Sequence, residues 1–230
     1  MTSNVKNIIG AVIASIAMTS TAAHAELVLS QVVVDLRADT PAHQDIEVWN
    51  NGSDRMYAEA VPAQIVSPGQ PNQKRVENPD PSVLGLLVTP QRMVLEPGER
   101  KIVRVSALIP RDATERIYRV VIKPVAGPIV ADATALKLFV GYDVLVLYRP
   151  QKVAGEVTGT RNSRQLVITN NSNSAKEMFD GEQCDAQGQN CQKLESIRLY
   201  AGAKWTQTVP YDTQVHYRET DGDGTRMRDF

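Results

Sequence analysis

The sequence predicts an all-β protein built as two immunoglobulin-like β-sandwich domains, on three observations. Short runs rich in β-branched residues recur along the chain, each ended by Gly, Pro, Asn or Asp. No long stretch carries apolar residues at helical spacing. Arg149-Pro150 separates two sets of such runs, because proline fixes its own φ and restrains the residue before it. The resulting units, 26–150 and 151–230, each hold six or seven strand candidates, which suits a sandwich. A single jelly roll is the alternative topology.

The elements follow in order. Leu27 to Leu36 is a β-branched run, and Gln44 to Trp49 alternates polar with apolar, as a half-buried strand does. Asn50-Asn51-Gly52-Ser53 supplies a hairpin turn, since Asn and Gly tolerate positive φ, and Met56 to Val66 resumes as a strand. Ser67 to Ser82 holds Pro68, Pro71, Pro79 and Pro81 and reads as an exposed loop, because proline donates no ladder hydrogen bond. Strand signals return at Leu86 to Leu95, Lys101 to Leu108 and Arg116 to Lys123, and a long run follows from Ala135 to Tyr148. In the second unit the candidates are Gly155 to Thr160, Gln165 to Thr169, Leu194 to Tyr200, Lys204 to Val209 and Thr213 to Arg218, with a last one near Arg226.

Charge and composition exclude several classes. The 230 residues carry 25 Lys and Arg against 26 Asp and Glu, so no uncompensated basic patch points to nucleic acid or an anionic membrane. Residues 1–25 read as a secretory signal peptide cleaved after Ala25: Lys6 precedes an apolar stretch that ends in Ala23-His24-Ala25. That stretch is shorter than the ~20 apolar residues a span needs, so no direct membrane insertion is expected. Export gives meaning to the two cysteines, Cys184 and Cys191, because an oxidising compartment favours their disulfide. Such a short loop contributes roughly 2 to 3 kcal/mol on the chain-entropy account.

Chemistry-bearing constellations are missing. His43 and His216 are the only histidines beyond the leader, too few for a four-ligand zinc cluster, and no metal or cofactor is expected. Asp221-Gly222-Asp223-Gly224 starts like a calcium loop, but the bidentate Glu expected at loop position 12 would fall beyond Phe230. Neither a Gly-x-Ser-x-Gly elbow nor a Gly-x-x-x-x-Gly-Lys phosphate loop occurs, so catalysis is not expected.

Several stretches together carry a family resemblance. Val88-Thr89-Pro90-Gln91-Arg92-Met93-Val94-Leu95-Glu96-Pro97-Gly98-Glu99, followed by Val103-Arg104-Val105, ends in a Pro-Gly turn and an Arg-bearing strand. Glu115-Arg116-Ile117-Tyr118-Arg119-Val120, Leu147-Tyr148-Arg149-Pro150 and His216-Tyr217-Arg218-Glu219-Thr220-Asp221-Gly222 come after it in order. In these stretches the chain resembles the periplasmic chaperones of the chaperone-usher pilus pathway, as a divergent branch. The resemblance implies two immunoglobulin-like domains set at an angle, which bind pilin subunits by strand donation and deliver them to an outer-membrane usher.

The resemblance also implies sites. Leu136, Leu138, Val140 and Tyr142 share one strand face and fall in the segment whose side chains such chaperones insert into the pilin. Glu115 and Asp221 match acidic positions of an interdomain salt bridge, with Arg104 as the expected basic partner. Family members hold the client's C-terminal carboxylate with two basic residues, but here Gln31 and Leu145 stand near those places. Lys137, Arg92 and Arg149 are the nearest basic candidates. The competing class is a secreted two-domain adhesin or structural pilus component that uses its loops as a ligand surface.

Overall fold

The structure, a computed structural model, describes residues 26–126 and 139–230. The expected signal peptide, and Leu136, Lys137 and Leu138 of the expected donor segment, lie outside the described residues. In chain order the first unit runs β1 (Leu27–Leu29), β2 (Val33–Leu36), β3 (His43–Asn50), β4 (Met56–Val66), β5 (Lys74–Val76), α1 (Pro81–Leu84), β6 (Leu86–Thr89), β7 (Arg92–Leu95), β8 (Arg100–Ala107), β9 (Arg116–Val125) and β10 (Tyr142–Tyr148). The second runs β11 (Val157–Asn162), β12 (Gln165–Asn170), β13 (Lys176–Gln183), β14 (Gln192–Leu194), β15 (Ile197–Leu199), β16 (Lys204–Thr208), β17 (His216–Thr220) and β18 (Thr225–Asp229).

Each unit closes two sheets on one core. A four-stranded sheet, β1-β3-β8-β6, faces a six-stranded one, β2-β10-β9-β4-β5 with β7 also on β4. Ile46, Val48, Val103 and Val105 from the first meet Tyr118, Val120, Val144 and Val146 from the second. The other sandwich sets β11-β12-β16 against β14-β13-β17-β18, with β15 on β13, around Val157, Ile168, Met178 and Tyr217. The alternation in the sequence is what makes this possible, because period two sends every other side chain to the core.

Both sandwiches use the same device to end a strand. Asn50, fully buried, donates Nδ2 to the carbonyls of Asp54 (2.7 Å) and Leu95 (3.0 Å), and its Oδ1 accepts the Gly52 N–H. Asn170 in the second sandwich donates to the carbonyls of Ser174 (2.9 Å) and Leu199 (2.8 Å), and accepts from Ser172 N. A side-chain amide thus takes up turn groups that burial would otherwise leave unpaired.

Several elements differ from the sequence expectation. Leu86 to Leu95 is two strands in different sheets, β6 on β8 and β7 on β4. The run Leu27 to Leu36 is two strands in different sheets. Ser30 ends the first by exchanging hydrogen bonds with Glu47, and Val32 O accepts Leu145 N as the second begins. The expected loop from Ser67 to Ser82 contains β5 and the start of α1, whose N-cap Asp80 accepts from Ser82 N at 2.8 Å. The largest miss is β13, the central strand of its sheet. Its sequence, KEMFDGEQ, has little β-branched content, and Asp180 at φ 50 with Gly181 makes a bulge that breaks the alternation. Cys184 and Cys191 are joined just beyond it.

Gly181 is required by packing. A Cβ there would stand 2.3 Å from the Tyr217 ring, whereas Gly224 has nothing within 4 Å. Gly181→Val is therefore expected to lower stability by about 1 to 3 kcal/mol or more, as overpacking does, while Gly224→Ala leaves it within about 0.5 kcal/mol. Thermal unfolding of both variants checks the contrast.

Candidate functional site

The site is built on β10. Its inward residues Val144, Val146 and Tyr148 lie in the first core, and the alternate residues Leu145 and Leu147 face outward. Register places Leu145 beside Arg119 of β9 and Val33 of β2, and Arg119 beside Ala63 of β4. The next row down holds Ile65, Ile117, Leu147 and Asp35. This outer face is therefore mostly apolar, and its lower end is covered by the second sandwich: Ile65, Ile117, Leu145 and Leu147 cluster with Ala175 and Tyr200.

At that lower end sits a buried cation. Arg149 is 5% exposed and bonded through each of its three nitrogens. Nε and Nη2 reach the Asp35 carboxylate at 2.8 and 3.2 Å, and Nη1 reaches Glu115 Oε2 (2.8 Å), Ser174 Oγ (2.7 Å) and Ala175 O (2.8 Å). The first two acceptors belong to one sandwich and the last two to the other, so one guanidinium joins both. Glu115 adds bonds to Ser174 Oγ and Ala175 N. Asn173 crosses back to the carbonyls of Ala113 and Lys152, and Arg37 pairs with Asp223 from the β17–β18 turn.

These contacts correct the expected interdomain set. Arg104 is not the interdomain cation: it lies on the outer face of β8, directly opposite Asp45 in register, and binds that carboxylate in bidentate fashion at 2.7 and 2.8 Å. Arg149 takes the interdomain place, with each of its three nitrogens bonded inside the chain. Asp221 pairs with Lys176 of its own sandwich at 2.5 Å. Arg92, the other described anchor candidate, is exposed on β7 at the far side of the sheet, opposite Glu59. Gln31 donates to Asp45 O between β1 and β2.

Among the described residues the upper end of β10 has no strand on its β2 side. β2 runs parallel to it only from Val33 opposite Leu145, because the chain before Val32 has crossed to the other sheet. Val140 is 62% exposed and Val33 38% exposed beside this edge. Gly141 is needed there, since a Cβ would come 2.6 Å from Lys123 Cβ of β9. Tyr142, expected among the inserted residues, is already part of the protein's own core: it pairs with Ile122, packs on the first core and donates its hydroxyl to Leu27 O at 3.0 Å.

A chain of two such sandwiches has known counterparts. Residues 26–154 match the PapD N-terminal domain family of pili and flagellar-assembly chaperones. The chain belongs to this family. The chaperone is 25% identical to a CFA/I fimbrial protein of Escherichia coli over 166 residues, 69% of this chain and 68% of that protein. Its fold is similar to that of the class 5 fimbriae chaperone CfaA, with a TM-score of 0.65 at 20% identity, covering 88% of this chain and 98% of that one. It is also similar to the Salmonella enterica SafB chaperone solved with the SafA pilin, with a TM-score of 0.63 at 16% identity over 91% of this chain and 98% of that one. Family membership sets aside the adhesin reading.

The interdomain knot makes two expectations for the chaperone. Arg149→Met would leave Asp35 and Glu115 without their cation, and breaking a buried pair in this way costs about 3 to 5 kcal/mol. Lowered stability with a larger radius of gyration in solution scattering is the expected result. Acid acts on Asp221. Burial pushes its carboxyl up, but the hydrogen bond and charge of Lys176 outweigh this and hold it below the ordinary value. A carboxyl lowered on folding stabilises above its unfolded value of about 3.9, and that contribution disappears as pH falls through the lower folded value. Asp221→Asn should therefore be less stable than the unaltered chaperone at pH 7, with the gap closing below about pH 4, as thermal unfolding across pH reads directly.

Proposed function

We propose that this chaperone works in the periplasm after removal of residues 1–25, captures pilin subunits by donating the segment before β10, and passes them to an outer-membrane usher. The observation that carries this reading is the edge of β10 above Val33, which has no partner strand among the described residues and so offers main-chain groups to another chain. Membership of the pilus chaperone family and the likeness to a chaperone bound to its pilin support it. The donated side chains are Leu136, Leu138 and Val140, and the donor ends before Tyr142, which the chaperone keeps for itself.

The logic is one of exchange. An incomplete pilin exposes an apolar groove that favours aggregation, and an extended segment with an apolar side chain at every second position can fill it while adding main-chain hydrogen bonds. Replacing Leu138 and Val140 together with Asp tests this in cells that express the chaperone with the pilins of its own gene cluster. A folded chaperone that no longer yields soluble pilin or surface fibres is expected, because a charge cannot enter an apolar groove unpaired. Soluble pilin and fibres at unaltered levels would show that this segment is not the donor.

A further inference from the structure

The turn after β3 carries a reactive pair. In Asn51-Gly52 an exposed carboxamide precedes the one residue without a Cβ, so nothing on the next α-carbon hinders a main-chain nitrogen that lies within reach of Asn51 Cγ. That nitrogen is not free. Gly52 N donates to Asn50 Oδ1 at 3.0 Å, and Asn50 is fully buried and fixed through Nδ2 by the carbonyls of Asp54 and Leu95. A Cβ at Gly52 would stand 3.2 Å from Asn50 Oδ1 and 3.1 Å from Glu26 Cγ, so the close approach that makes the bond also favours glycine.

The second sandwich repeats the arrangement. Asn170-Asn171-Ser172 begins on the last residue of β12 as Asn50-Asn51-Gly52 begins on the last residue of β3. Asn170 is fully buried, Asn171 is exposed, and Ser172 N donates to Asn170 Oδ1 at 2.9 Å. The exposed carboxamide there is itself engaged, since Asn171 Nδ2 donates to Thr158 Oγ1 at 2.8 Å. In both turns the first Asn accepts the one N–H whose proton has to leave before the second Asn can react with its own main chain.

We propose that Asn51 is a deamidation site held shut by the Asn50 side chain. In the reaction a base takes the proton of Gly52 N, the nitrogen attacks Asn51 Cγ, the N–Cγ bond forms, and the Cγ–Nδ2 bond breaks, with Nδ2 taking up a proton and leaving as ammonia. Water then opens the five-membered imide at one of its two carbonyls, giving an aspartyl or an isoaspartyl residue at position 51. An N–H that donates to a buried acceptor resists loss of its proton, as it resists hydrogen exchange, so the reaction is confined to the moments when the turn opens. Once it has happened the turn is altered for good. The imide nitrogen carries no hydrogen, which leaves Asn50 Oδ1 a buried acceptor without its donor, and an isoaspartyl unit adds a main-chain carbon to a turn pinned by Asn51 N on Glu26 O at 2.6 Å.

The purified chaperone in mildly alkaline buffer tests this, with the end-blocked peptide 48–54 as the reference. Two rates are read on each: conversion at Asn51 to the acid and isoacid by peptide mass spectrometry, and exchange of the Gly52 amide by NMR. Conversion in the folded chaperone should be about a hundredfold slower than in the peptide or slower still, and Gly52 exchange slowed to match within about threefold, with both rising together in mild denaturant. Asn50→Ser retains an acceptor and should keep part of the protection. Asn50→Ala should lose most of it at Asn51 while Asn171, covered by Asn170, stays as protected as before. If Asn50→Ala does not fold, the two rates in the unaltered chaperone decide. Conversion at the peptide rate, slow conversion beside a Gly52 amide that exchanges at the peptide rate, or a folded Asn50→Ala as protected as the unaltered chaperone would each overturn the proposal.

Discussion

Burial of the Arg149 guanidinium is the constraint on which the two-domain arrangement depends. A cation so far from water has to find its acceptors in the protein, and here four residues supply them: Asp35 on β2, Glu115 in the segment before β9, and Ser174 and Ala175 in the second sandwich. Arg111 completes the enclosure by donating to the carbonyls of Leu36 and Arg149 while lying over the Tyr148 ring. The joint is an ionic knot with directional bonds, set immediately before Pro150. A short linker and a geometrically demanding cation together leave little room for the sandwiches to swing.

The same strand ends in this knot and begins at an edge that has no partner strand among the described residues. β10 spans Tyr142–Tyr148, so the two ends of the strand are only about 20 Å apart. Between them it is held on one side by β9 along its whole length and on the other by β2 over its lower four residues. The partial cover follows from the crossing of Ser30 to Val32 between sheets: a first strand that stayed with β10 would have closed the edge. An exposed strand edge is ordinarily an aggregation hazard. Here the flanking structure confines it to the few residues above Leu145, where Arg75 and Arg119 both bond to Asp143.

How much of this was legible in the sequence divides along physical lines. Strands with period-two alternation, such as Gln44 to Trp49 and Lys101 to Leu108, were readable because the pattern is local. β13 was not, since its burial is decided by tertiary packing against β17 and a bulge hides its alternation. The break in Leu27 to Leu36 was equally hidden: the residues suit a strand throughout, and only Glu47 and Leu145, distant in sequence, show where it changes sheets. For the interdomain pair the acidic Glu115 could be found by its motif, but the cation could not be chosen between Arg104 and Arg149. Register decides that, by placing Asp45 opposite Arg104.

Leu145, near which the resemblance places a basic residue, has a physical explanation in the same packing. Leu145 is 5% exposed because Ala175 and Tyr200 of the second sandwich help close the cluster it belongs to. The loop around Gly69 packs on Tyr200 as well, since a Cβ at Gly69 would come 3.1 Å from that ring. A lysine at position 145 would place its stem among Ile65, Ile117 and Leu147 and would have to carry its ammonium out past Tyr200 or leave it buried without an anion, which is strongly unfavourable. Leucine instead adds apolar contact between the sandwiches, worth roughly 1.5 to 3 kcal/mol for a fully buried side chain. Tight closure of the lower cleft therefore favours an apolar residue at Leu145, and the positive charge beside it stands one strand over, on the half-buried Arg119 of β9.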